Sequence, residues 1–372
     1  MKRIPTSSSR RIPREEKIAA VDLFCGVGGK THGFINAGIP VVAGYDIDDT
    51  CQYAYENNNV GATFVCKGVE ELNPSELESW YPKGAVKVLI GCAPCQPFST
   101  YSYRYASAPG KRKSKDKRWA LLYRFRDLIR AVRPEIVSAE NVPELARLKH
   151  DVYVSFVKDL IDMGYHVTES IVRCAEYGVP QTRERLVILA SLRGPLKLIP
   201  PTHDAEDYAS VHDTIGHLPA ITAGGPSPTN DPLHVSSRLS PLNLERIRST
   251  PEGGGWPDWP ERLKLACHKR DTGATYPSVY GRMRWDKPGP TITTQCYGLG
   301  NGRFGHPSQD RAISLREAAL LQTFPAKYSF AAPGEKIIFR HIGRHIGNAV
   351  PVKLAEAVAL SIQQHLRDFP KS

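Results

Sequence analysis

The sequence predicts an α/β protein: an open, mostly parallel sheet covered by helices, with a second, smaller irregular domain. Three observations lead there. Short β-rich apolar runs alternate with helical patterns, the alternation stops after Leu192, and 372 residues at roughly 150 per domain suggest two domains.

Residues 1–17 carry six Lys/Arg, two Glu, three consecutive serines and two prolines, with almost nothing to bury, and read as a flexible basic tail. The runs Ile18 to Cys25, Val41 to Tyr45, Val86 to Ile90, Ile136 to Ala139 and Leu186 to Ala190 are near-continuously apolar, as strands buried on both faces are. Between them Ala120 to Val132 and Val152 to Met163 have helical spacing, the second closed by Gly164. From Leu192 to about Asp310, Pro, Gly, Ser and Thr dominate without a sustained period. Ser314-Leu315-Arg316-Glu317 then makes a capping box, Pro325 ends that run, and Pro351 to Leu366 reads as an amphipathic helix.

Composition narrows the function. Hydrophobic residues at 41% and charged residues at 23% are globular values, which excludes a disordered chain. Lys+Arg number 49 against 38 Asp+Glu, and a net charge of +11 favours a polyanionic partner. No apolar run approaches the roughly 18 residues of a membrane span, and the N-terminus lacks a signal-peptide core, so a soluble cytoplasmic protein is expected. Eight scattered cysteines argue for reduced thiols. The close pair Cys92 and Cys95 lacks a second ligand pair, so no metal is expected, and Pro97 behind it reads as loop rather than a redox helix.

Five places bear chemistry. Asp22-Leu23-Phe24-Cys25-Gly26-Val27-Gly28-Gly29 joins the first strand to a helix, and glycines there let a ligand approach the backbone. Thr31 stands where a dinucleotide fingerprint would want glycine, and Asp46 ends the next strand, where an acid can bind both hydroxyls of a ribose; a nucleoside-type cofactor is expected. Cys95 follows the strand ending at Ile90, Glu140 ends the strand from Ile136, and Gln181-Thr182-Arg183-Glu184-Arg185 introduces another. A thiol, a carboxyl and a guanidinium on one sheet edge form a catalytic constellation.

With these residues in view, the chain resembles the DNA cytosine-5 methyltransferases, which depend on S-adenosylmethionine. The glycine turn, Ala93-Pro94-Cys95-Gln96-Pro97-Phe98-Ser99, Glu140-Asn141-Val142, Gln181 to Arg185, Arg316 to Pro325 and Ile346-Gly347-Asn348-Ala349-Val350-Pro351 match six family blocks in order, from residue 22 to residue 351.

The resemblance implies the sheet of S-adenosylmethionine-dependent methyltransferases, with 18–192 and 331–372 forming the catalytic and cofactor-binding domain and 193–330 the target-recognition domain. It implies that Cys95 adds to C6 of a flipped-out cytosine, that Glu140 holds N3 and the exocyclic amine, and that Arg183, with Arg185 in a more structural part, fixes the base carbonyl. Phe24, Gly26, Gly28 and Gly29 would line the cofactor, Asp46 would hold its ribose, Ile47 would pack on adenine, and Asn348, Ala349 and Val350 would close the pocket. Gly68 falls where the family commonly has an aspartate for the adenine amine.

Between Tyr101 and Arg130 ten Lys/Arg face two Asp, a net of +8. Beside Cys95 such a run suits phosphate contacts. Gln96, Ser99, Lys111, Arg112, Lys113 and Arg303 are the expected DNA contacts, with Arg282, Arg284, Asn301 and His306 as further candidates for base reading. The partner expected is double-stranded DNA, with a functionally paired restriction endonuclease and the enzyme as a monomer. A tRNA methyltransferase built on the same motifs, a catalytically dead DNA-binding module and a nicotinamide dehydrogenase are the competing readings.

Overall fold

The computed structural model describes residues 16–94, 119–270 and 277–371. The basic tail up to residue 15, Cys95 with Gln96 and Ser99, and Lys111 to Lys113 lie outside the described residues.

Five strands follow the order of the sequence: β1 (Ile18–Leu23), β2 (Val41–Asp46), β3 (Thr63–Cys66), β4 (Val86–Gly91) and β5 (Ile136–Asn141). With β6 (His166–Arg173) and β7 (Glu184–Ser191) they make one seven-stranded sheet in the order β3-β2-β1-β4-β5-β7-β6. All pairs among the first five are parallel, while β7 runs antiparallel to both β5 and β6. The register aligns Leu23 with Tyr45 and with Gly91, and Gly91 with Ala139. The loops leaving β1, β2, β4 and β5 therefore share one edge. Because β7 is reversed, its amino end, and with it Arg185, returns to that edge.

Helices cover both faces. On one, Leu89 of β4 packs with Phe125 and Leu128 of α4 (Trp119–Val132) and with Phe156 of α6 (Asp151–Asp162). On the other, Val88 and Ile90 pack with Phe34 of α1 (Gly29–Asn36) and with Val358 and Ile362 of α11 (Val352–Asp368). Each such buried side chain contributes about 1.5–3 kcal/mol by leaving water. The C-terminal helix reaches the first helix because Gly33 has no side chain: a Cβ there would lie 2.5 Å from Val352 O.

Several observed elements have no counterpart in the sequence pattern, the helices α2 (Gln52–Asn58) and α3 (Pro74–Ser79) among them. β3 has four residues on an edge, and β6, also an edge, is largely polar and half exposed. α5 (Glu144–Arg147) is a single turn, and α10 (Phe339–Asn348) is polar and contains two glycines. Tertiary packing holds α10: its Gly343 backs onto Tyr297 and its Gly347 onto Thr293 and Thr294. Gly164 has φ 86, the left-handed value expected of a residue closing α6.

Beyond β7 the chain is mostly irregular, broken by two short helices, α7 (Val211–Ile215) and α8 (Pro241–Arg248), up to α9 (Leu315–Leu321), which opens on the capping box at Ser314. Residues 313–330 pack with Val27, Ala54 and Tyr55 of the sheet unit. Gln322 donates to Ile346 O (2.7 Å) and Ala349 O (3.0 Å), and Gln181 donates to Gln322 Oε1 (2.7 Å), which fastens the far end of the chain to the sheet edge. No helix among the described residues is long and apolar enough to cross a membrane.

Candidate active site

A cavity of about 570 Å³ opens at the shared sheet edge. Its walls come from the β1 turn (Phe24, Gly26), the end of β2 (Asp46, Ile47), the residues after β4 (Cys92, Ala93, Pro94) and the segment Asn348, Ala349, Val350. The β1 turn bends sharply: Phe24 has φ 62 and Gly26 φ 50, and nothing lies within 4 Å of a Cβ placed on Gly26, so a ligand can approach the backbone there.

Asp46 organises the turn. Its Oδ2 accepts from Gly26 N at 2.8 Å and its Oδ1 from Asp48 N at 3.0 Å. Burial raises its carboxyl above the ordinary range, against those backbone hydrogen bonds. Next to it Ile47 is 75% exposed, a large apolar side chain bare at the mouth of a cavity. Gly28 and Gly29 are not on the wall. A Cβ on Gly29 would meet Val350 O at 2.5 Å, and one on Gly28 would meet Asn59 Nδ2 at 2.5 Å, so these glycines let α1 pack closely against the C-terminal segment and the helix behind it.

The opposite side of the mouth is fastened by a polar bridge. Asp48 pairs with Arg344 (2.6 Å) and accepts from Thr50 Oγ1 (2.5 Å), which in turn lies 2.9 Å from His345 Nε2. Burial pushes His345 down to about 4, so its ring is neutral at pH 7. Asp48, Cys51 and His345 also bring ligand-type atoms within 4.8 Å of one another, but Arg344 and Thr50 already engage two of the three.

Glu140, 5% exposed, is the penultimate residue of β5. Cys92 Sγ donates to its Oε2 at 2.8 Å, and Arg185 Nε stands 2.5 Å from its Oε1. The antiparallel register, which sets Glu140 opposite Val187, brings Arg185 there. Arg183 is also buried, and its Nη1 donates to Ile292 O at 3.1 Å, joining this edge to the following region. Below Glu140 lies Lys30, 4% exposed, with Nζ 3.0 Å from Ser138 O and 3.3 Å from Gly91 O. Burial pushes the Lys30 ammonium down, against the pull of Asp22, Cys92 and Glu140, and pushes the Asp22 carboxyl up to about 7.

Three of the arginine and histidine candidates for base reading are engaged inside the irregular region instead. Arg303 donates through Nη1 to the carbonyls of Gly253, Gly254 and Arg282. Arg282 uses all three guanidinium nitrogens on Thr250, His306, Gln309, Ile247 and Asp310, and His306 is 2% exposed. Arg303, half-buried, thereby holds these loops together through one nitrogen of its guanidinium. Arg284 and Asn301 are exposed, Arg284 in a pair with Asp286.

Lys30 and Glu70 carry no local signal of a place at the site, and Cys92, read in the sequence only as half of a metal or redox pair, meets Glu140 instead. A Cβ on Gly68 would lie 3.1 Å from Glu70 Oε2 and 3.3 Å from Ile47 Cγ2, and Glu70 lines the cavity. Glu70 stands two residues beyond the missing aspartate, and only the turn at Val69–Glu71 folds its carboxylate back over Gly68.

Comparison with known proteins decides the family. The model of the C-5 cytosine-specific DNA methylases matches residues 18–364. The chain belongs to that family. The methylase is 51% identical over 349 residues to the Type II methylase M.HgiDII of Herpetosiphon aurantiacus, covering 94% of this chain and 96% of that one. It is 30% identical to the Type II methyltransferase M.Eco47II of Escherichia coli, over 96% of this chain and 82% of the relative. Among solved structures, an E. coli prophage protein described as a DNA modification methyltransferase superposes with a TM-score of 0.71 at 22% identity, covering 94% of this chain and all of that one. The Schizosaccharomyces pombe Dnmt2 methyltransferase gives 0.57 at 17% identity, covering 96% of this chain and all of that one. These two likenesses show the shared fold of the methylase, an α/β enzyme with a mostly parallel sheet.

Proposed function

We propose that the methylase binds S-adenosylmethionine in the sheet-edge cavity and methylates C5 of a cytosine rotated out of duplex DNA, through an adduct between Cys95 and C6. The observation that carries this reading is Glu140, a buried carboxylate set between a thiol and a guanidinium at the end of β5, beside the cavity wall at Cys92 to Pro94.

The cavity fits the donor. Asp46 keeps lone pairs for two ribose hydroxyls while its backbone donors hold it in place, bare Ile47 offers a face to the adenine, and Glu70 supplies the carboxylate missing at Gly68. When bound, the donor supplies an electrophilic methyl group on a sulfonium. Cys95 thiolate adds to C6 and the electron pair moves to C5, while Glu140 holds N3 and the exocyclic amine, and Arg185 keeps Glu140 in place. C5 takes the methyl group, the C5 proton leaves to water, and the C6–S bond breaks to return the thiolate. Arg183 sits where it joins this edge to the irregular region, in keeping with a part in orienting the base.

In this reading residues 18–192 with 331–372 form the catalytic unit and 193–330 the target-recognition unit. The basic tail and the segment from Lys111 to Lys113 contact phosphates. The Type II names of the relatives support a paired restriction endonuclease. The enzyme acts as a monomer on cytoplasmic DNA.

The test is transfer of a labelled methyl group to duplex DNA and, separately, to tRNA, with trapping on 5-fluorocytosine DNA. Label in DNA and a trapped complex lost in Cys95→Ser are expected. Label in tRNA alone, or trapping that survives Cys95→Ser, overturns the reading.

A further inference from the structure

Lys30 belongs to the first turn of α1, yet its side chain runs under the sheet edge. Burying an ammonium is costly unless specific groups receive it. Here the receivers are two backbone carbonyls with distinct positions. Gly91 is the last residue of β4, directly before Cys92, and Ser138 lies on β5 two residues before Glu140. The β4–β5 ladder runs from Val88 and Ile136 to Gly91 and Ala139. The ammonium thus joins the two strands where their own pairing ends, immediately beneath the groups that face the substrate. Its charge is also placed to act on that site: Asp22 from β1, Cys92 after β4 and Glu140 from β5 face it, and Arg185 from β7 approaches Glu140 from the other side. Lys30 lines the donor cavity as well.

We propose that Lys30 is a positioning residue for methyl transfer, its ammonium fixing the carboxyl ends of β4 and β5 so that the Cys92–Pro94 segment and Glu140 stand in working register. The inference rests on the methyl-transfer reading above. A purely structural lysine would affect folding and leave the folded enzyme's rate alone, whereas a positioning lysine changes the chemical step and its pH dependence.

The experiment compares full-length wild type with Lys30→Met, Lys30→Gln and Lys30→Arg. Melting temperature reports folding, calorimetry with S-adenosylmethionine and with its demethylated product reports the cavity, and single-turnover methylation of a duplex across pH 6 to 9 reports the chemical step. With the donor saturating, as the calorimetry defines for each variant, Lys30→Met is expected to lose about ten- to a hundredfold in single-turnover rate, the size of effect that a small misplacement of reacting groups produces. Lys30→Arg, which keeps a cation on the two carbonyls, recovers most of the rate, and the pH profile of Lys30→Met differs from that of wild type. If Lys30→Met does not fold, Arg faster than Gln by about tenfold supports the proposal on the same ground, and equal rates overturn it. Folded variants with the wild-type rate and pH profile overturn it alone. A wild type that transfers no methyl group to DNA overturns the methyl-transfer reading and this proposal with it.

Discussion

The Cys92 thiol donates to Glu140 Oε2 across 2.8 Å, so a cysteine three residues before the proposed nucleophile orients the carboxylate that would hold the base. Loss of that donor frees one oxygen of a carboxylate whose other oxygen faces Arg185. Cys92→Ala is expected to slow methyl transfer about tenfold, the worth of one hydrogen bond to a charged group, with donor affinity within about twofold. Cys92→Ser restores most of the rate. An unchanged rate in Cys92→Ala would show that the thiol has no part in placing Glu140.

Asp46 fastens two backbone amides and faces the cavity. Asp46→Ala should raise the dissociation constant of the donor about ten- to a hundredfold, as loss of hydrogen bonds to a charged acceptor does. Equilibrium binding without DNA checks this, and a wild-type affinity would place the ribose elsewhere.

The carboxylate of Glu70 stands where a side chain on Gly68 would begin. Glu70→Ala is expected to weaken donor binding about tenfold, and adding Gly68→Asp to that variant to restore it. The backbone allows the exchange, since Gly68 has φ −67 and ψ 142, open to any residue. A donor analogue lacking the adenine amine should bind wild type and Glu70→Ala equally. A difference between the two would assign Glu70 another task.

Burial holds both His306 and His345 down to about 4. The unfolded chain takes these protons near pH 6.5 and the folded chain only near 4. The folded state's advantage is therefore complete above 6.5 and is lost as pH falls from 6.5 to about 4, by about 1.4 kcal/mol per pH unit for each ring. His345→Gln should show a shallower fall than wild type in denaturant unfolding across that window. Parallel curves would mean that the ring protonates in the folded enzyme, against Arg344 and beside Asp48.

Gly347 and Gly29 stand at close backbone approaches: a Cβ would lie 2.2 Å from Thr293 C at the first and 2.5 Å from Val350 O at the second. Alanine at either is expected to destabilise by about 1–3 kcal/mol or more. The melting temperature falls accordingly. Stability equal to wild type would mean that the segment shifts freely, and then Asn348 to Val350 would not hold a fixed wall.

Much of the sheet unit was legible in the sequence, because strands buried on both faces write themselves as continuous apolar runs. The runs at Ile18, Val41, Val86, Ile136 and Leu186 all proved to be strands. The edge strands Thr63–Cys66 and His166–Arg173 were not legible, since a half-exposed edge has no comparable pattern. Nor was the helix Phe339–Asn348, whose glycines oppose helix formation locally and are tolerated because backbone must pass close by.

The sequence by itself determined the chemistry available at the site: the strand-end positions of Asp46 and Glu140, the glycine turn and the ordered blocks depend on local residue type and spacing, which survive without coordinates. Only the tertiary structure decided which side chains meet. The reversed strand Glu184–Ser191 carries Arg185 to Glu140, the buried ammonium of Lys30 reaches carbonyls 61 and 108 residues away, and Arg303 turns inward to the Gly253–Gly254 carbonyls. Contacts of that kind depend on strand order, register and the cost of leaving buried polar groups unpaired, and no local pattern encodes them.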